Sequence, residues 1–131
     1  MAQPIISIPD AIEVFVNGFS YGKSRTYPYK PTKVGPLWVM RDDPPRKKER
    51  KIEIISRGVA PESAIQAIQE AGIGWHFLCE IHSPEDDFQS IRNKYKALGY
   101  KALSTEWLFA HDLKQISDER SNPPVRFVVG N

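Results

Sequence analysis

One cysteine among 131 residues, Cys79, excludes an internal disulfide, and no cysteine–histidine spacing resembles a zinc site. A reducing compartment, the cytoplasm by default, is the expectation. Long apolar runs are also missing. No window approaches the roughly 20 apolar residues that span a bilayer, and the amino terminus lacks the charged start and apolar stretch of a signal peptide. Membrane spanning and secretion are not expected. There is little charge excess either: 18 Lys and Arg face 16 Asp and Glu, and the resulting +2 does not by itself imply a polyanionic partner.

The length suits one compact domain, and 40% hydrophobic residues suffice for an ordinary core. Charge is unevenly distributed. Residues 1–57 hold 11 basic and 6 acidic side chains, whereas 58–131 hold 7 and 10. The polar Asp118-Glu119-Arg120-Ser121-Asn122-Pro123-Pro124 run predicts a flexible tail over 117–131, leaving 1–116 as the domain.

Ile12 to Val16 is β-branched and aromatic, and Asn17-Gly18 follows, so residues 12–21 read as an interrupted strand. Three prolines among Lys23, Arg25, Lys30 and Lys33 make 22–36 a loop. Leu37-Trp38-Val39-Met40 is apolar on both faces, as an inner strand is. A helix is predicted over 46–57, with Ile52, Ile54 and Ile55 as its apolar side, and a second from Pro61 to the terminating Gly72. Trp75 to Ile81 reads as a strand too apolar for an exposed edge, with Cys79 as a small core residue. Ser83-Pro84 predicts the start of a third helix, whose buried side is Phe88, Ile91, Tyr95 and Leu98 and whose stop is Gly99. Tyr100–Ser104 and Glu106–Asp112 read as adjacent short strands, and Val125–Val129 as an optional edge strand.

The strand, the helix ending in Lys94-Tyr95-Lys96-Ala97-Leu98-Gly99-Tyr100 and the strands ending in Leu108-Phe109-Ala110-His111-Asp112-Leu113 resemble the closing half of GNAT-superfamily acyltransferases. Val34 to Asp42 looks like a segment of GNAT-related bacterial proteins. The resemblance covers about residues 12–114 through short motifs. It implies an α/β fold with a mixed central sheet flanked by helices and opened for acetyl-CoA or another acyl-CoA, with an amine as acceptor. Tyr95 matches the family tyrosine that protonates the departing thiolate. Glu80 is the candidate base for the amine, with Glu106 as a second. The family's glycine-containing pyrophosphate loop would fall on 41–51, which has no glycine, so phosphate contacts would come from Arg41, Arg46, Lys47 and Lys48, with Arg50 nearby.

Two other classes compete. Val14 to Arg41 holds five basic residues and no acidic one, together with Tyr21, Tyr27 and Tyr29, the makings of a basic nucleic-acid-binding face. A scaffold without catalysis would instead serve protein association, for example as a homodimer. His76, His82 and His111 lie at separate strand ends and suggest neither a metal cluster nor a triad.

Overall fold

The computed structural model describes residues 7–106 and is mixed α/β. Its elements run α1 (Ile8–Lys23), β1 (Tyr29–Val34), β2 (Leu37–Asp42), β3 (Glu53–Ser56), α2 (Pro61–Glu70), β4 (Phe77–Glu80) and α3 (Phe88–Ala97). The four strands lie side by side in sequence order. β1–β2 and β2–β3 pair antiparallel, while β3 and β4 are parallel because α2 carries the chain back between them. Glu106–Asp112, Val125–Val129 and the 117–131 tail lie largely or wholly outside the described residues.

The segment read as a strand is α1. Ser7 caps it by accepting the Asp10 amide at 3.2 Å, and buried Ile12, Val16 and Ser20 recur every four residues on one face. That helical period outweighs the β-branched composition, and Gly18 lies inside the helix, where Asn17 donates from Nδ2 to the Glu13 carbonyl. The expected loop holds β1, whose Pro31 is tolerated because the strand is at the sheet edge. Gly35-Pro36 forms the two-residue turn into β2, with Gly35 at φ 57°.

The helix expected over 46–57 is absent. Residues 43–52 form an irregular connection and 53–56 are β3, where Ile54 and Ile55 point to opposite faces and are both buried. Isoleucines that could form one helix face instead serve two cores. Ile54 joins Leu37, Val39, Ile52, Ala64 and Ile68 under α2, while Ile55 joins Ile12, Val16, Tyr29 and Met40 under α1.

β4 terminates the sheet among the described strands, contrary to the inner position expected for it. Cys79 is exposed, not a core residue, because α1 packs over β1 and β2 and does not reach it. α3 starts at Phe88 with Asp87 as its cap. Ser83 does not cap it, because the Ser83 amide donates to Asp86 Oδ2 at 2.8 Å and closes a separate turn. Residues 101–106 have no regular structure, so the strand expected at 100–104 does not form.

The 43–52 connection is organised by Asp42, which has no exposed surface. Its Oδ2 accepts from Arg46 Nε at 2.9 Å and the Arg50 amide at 3.0 Å, and its Oδ1 from Arg50 Nε at 2.8 Å. Arg50 also donates to the Lys23 and Tyr27 carbonyls, tying the end of α1 to the entry of β3. Burial would raise the Asp42 pKa, but the hydrogen bonds from Arg50 and Arg46 prevail and hold it below the ordinary 3.8.

The stabilisation from ionised Asp42 is complete above that ordinary value and disappears as pH falls through the lower folded value. Asp42→Ala should cost about 3 kcal/mol at neutral pH, because it strands two arginines, and should flatten the acid limb of stability. Urea denaturation at pH 7 and below pH 4 checks this, and a neutral-pH midpoint matching wild type would contradict it.

Candidate functional site

Parallel pairing places Ser56 opposite Glu80, and the ladder extends one step further as the Ile81 amide donates to the Ser56 carbonyl at 2.8 Å. Beyond this point the strands give way to the Arg57-Gly58 turn and to the 81–87 segment. A cleft of about 290 Å³ opens there, lined by Arg57, Gly58, Glu80, His82 and Asp86 among others. It sits at the carboxyl ends of two parallel strands, where α/β sheets commonly bind ligands.

Tyr95, buried on α3, donates from its hydroxyl to Glu80 Oε1 at 3.3 Å, so the two side chains expected as acid and base meet. Burial raises the Glu80 carboxyl to about 7, opposed by the Ser56 and Tyr95 hydroxyls and the Arg57 charge. Tyr95 is raised well above the usual phenol value, by burial first and then by the Glu80 charge, and stays protonated at neutral pH. Ser56 has no exposed surface, and its hydroxyl, beside both groups, forms no well-directed hydrogen bond. The Tyr95 ring also meets Tyr100 edge-on at 5.4 Å, and the Tyr100 hydroxyl bonds His76 Nε2.

Arg57 was not anticipated as a site residue. Its Nη1 donates to Asp86 Oδ2 at 2.7 Å and to the Ile81 carbonyl at 3.3 Å, bridging the cleft mouth. Gly58 follows at φ 70°, and a Cβ there would meet nothing within 4 Å. Ala60 caps α2 without a side-chain hydrogen bond, leaving the first-turn amides to other acceptors. The sequence signal was the Gly58-Val59-Ala60-Pro61 run. It marks a strand-to-helix turn, but the helix expected over 46–57 obscured it.

Arg41, Arg46, Lys47 and Lys48 do not converge with Tyr95 and Glu80. Arg41 is in β2 and the other three are in the β2–β3 connection, which meets β3 at Glu53, whereas the cleft opens beyond Ser56 at its other end. Arg41 is bidentate to Glu49 at 3.0–3.1 Å, Arg46 is held by Asp42, and Lys47 and Lys48 are exposed. The aromatic part of the basic amino-terminal face is largely committed elsewhere. Tyr29 is buried, Tyr27 donates to the Pro44 carbonyl and lies under the Arg46 guanidinium, and Tyr21 is exposed.

No protein-family model matches this chain, and neither the curated proteins nor the solved structures provide a match. Among the described residues, no helix is long and apolar enough to cross a membrane, and no cluster of three His, Cys, Asp or Glu could hold a metal ion.

A raised carboxyl pKa has a stability consequence. Between the ordinary 4.5 and about 7 the folded chain holds a Glu80 proton that the unfolded chain releases, so stability falls as pH rises through that window. Glu80→Gln should remove this slope and be the more stable protein at pH 8. Denaturation of both proteins at pH 5 and pH 8 measures it, and parallel profiles would refute the raised pKa.

Proposed function

We propose that the protein transfers an acyl group from an acyl-CoA to an amine, with Glu80 and Tyr95 as the proton-handling pair. The observation that carries this reading is their direct contact, with Glu80 lining a cleft beyond the parallel β3–β4 pair. The antiparallel β1–β2–β3 run followed by a helix-linked parallel strand supports the GNAT resemblance.

On this reading an acyl-CoA would be held at the Arg57-Gly58 turn, with the start of α2 following it in the chain. Arg57 supplies a guanidinium, Gly58 leaves the backbone accessible, and the α2 amides of Glu62 and Ser63 lack a side-chain cap. Pro61 donates no amide and Glu62 is acidic, so the Arg57 charge carries much of the anion affinity. When bound, the acyl-CoA supplies the thioester carbonyl that an amine attacks.

Glu80 accepts the proton that the amine loses, a task suited to a carboxyl near 7 because it both takes and returns protons at neutral pH. Tyr95 holds a proton at its hydroxyl for the sulfur that leaves, and its raised pKa keeps that proton in place until needed. Their hydrogen bond lets Glu80 return a proton to Tyr95, so one turnover restores both groups. Ser56 and the surrounding burial hold the pair out of bulk water.

Calorimetric titration with acetyl-CoA and with free CoA tests the first requirement, and no binding at millimolar ligand would refute the reading. Where binding is seen, Tyr95→Phe and Glu80→Gln should each lower acyl transfer to an amine panel by about 10²–10⁴-fold while leaving CoA affinity within a few-fold. Transfer by wild type should rise with pH through about 7 as Glu80 ionises. Unchanged turnover in either variant would remove that residue from the chemistry.

A further inference from the structure

Independently of the acyl-transfer reading, we propose that the β2–β3 connection and Trp75 form a binding surface for single-stranded nucleic acid. The structure sorts the cations of this connection, together with Arg41 at the end of β2, into two groups. Arg41, Arg46 and Arg50 are consumed internally, on Glu49 and Asp42. Lys47, Lys48 and Lys51 are exposed, and none has an ion pair among the described residues. Because Asp42 anchors the backbone through the Arg50 amide, these three ammonium groups project from a fixed loop.

A second cleft, about 330 Å³, is lined by Lys51 together with Arg41, Glu49, Arg50, Ile52 and Trp75 among others, with Lys47 and Lys48 exposed earlier on the same connection. Trp75 is 72% exposed, an unusual state for the largest side chain. Its ring meets Phe77 edge-on at 4.8 Å, and Lys51 Nζ lies 4.6 Å from the Phe77 centroid, so ammonium and indole share one support. Glu49 is neutralised by Arg41, and the exposed acid of the connection is Asp43, next to β2.

An exposed indole sharing a cleft with Lys51, with Lys47 and Lys48 exposed on the same connection, matches a ligand that alternates flat aromatic groups with phosphates. Stacking requires a base already out of a duplex, and the connection offers no helix to enter a groove, which favours a single strand over a double one. An acidic peptide would satisfy the lysines and leave the indole unused.

The test is fluorescence anisotropy of a labelled 12-nucleotide oligo-dT with the full chain at 50 and 200 mM salt. Three phosphate contacts predict a slope of log K against log salt of about −2. Trp75→Ala should weaken binding about tenfold and Trp75→Phe much less, since stacking survives the conservative change. A Lys47→Glu, Lys48→Glu, Lys51→Glu triple variant should lose more than tenfold, with far-UV circular dichroism confirming that these surface variants fold. Absence of saturable binding would overturn the proposal, as would insensitivity to either set of variants. Equal competition by poly-glutamate, or a mononucleotide binding as tightly as the oligomer, would overturn the single-strand assignment.

Discussion

The sheet depends on a carboxylate withdrawn from water. Asp42 ends β2 with no exposed surface, and a bare charge there would be prohibitively costly. Arg46 and Arg50 cover its oxygens, and the Arg50 amide adds a main-chain donor, so the charge is fully hydrogen-bonded. The remaining Arg50 donors grip the Lys23 and Tyr27 carbonyls. One side chain thus joins the end of α1, the start of β1 and the approach to β3. A connection containing two prolines and five basic residues acquires one conformation through this contact, despite having no regular structure of its own.

That conformation delivers Glu53 opposite Met40 and fixes the register of β3. Register then determines the site. With Ile54 opposite Leu78, the next pair on that face is Ser56 and Glu80, and Tyr95 on α3 reaches Glu80. A slip of one residue would turn Glu80 to the face that Cys79 occupies and separate it from the phenol. Glu80 is only partly buried, and this intermediate state is chemically useful. Full burial without a partner would keep the carboxyl protonated, while full exposure would leave it near 4.5 and ionised throughout the neutral range. Near 7 it can exchange a proton in either direction.

The parts legible in sequence were those with a single dominant signal. The β2 run, α2 between Pro61 and Gly72, the existence of β4 and the Tyr95 position each had consistent periodicity and punctuation. Three elements were obscured by competing signals. In α1, valines and an Asn-Gly pair masked a four-residue period. In β1, Pro31 concealed an edge strand. In β3, the spacing of Ile52, Ile54 and Ile55 fitted a helix face as readily as two sheet faces, and only pairing with Trp38 and Val39 resolves it. Tyr95 and Glu80 were singled out one by one, through family resemblance and position in their elements, and that they touch is legible only in the fold. Arg57 was missed because placing a helix over it removed the turn that exposes it.

The same limit applies to the basic stretch, whose sequence does not say which acid each cation faces. In the fold the division follows side-chain chemistry. A planar guanidinium can span two carboxylate oxygens and still reach a carbonyl, so the arginines take the internal tasks around Asp42 and Glu49. The ammonium of lysine is compact and strongly hydrated, gains less from such geometry, and remains outside at Lys47, Lys48 and Lys51. The consequence is a chain of small net charge with separated poles along β3. Exposed lysines lie before its first residue, and the Glu80, Asp86 and Asp87 carboxyl groups line the cleft past its last. Arg57 lines that acidic end as well and is bonded to Asp86. On the proposed acyl-transfer reading, an external phosphate would compete with an internal carboxylate for one guanidinium.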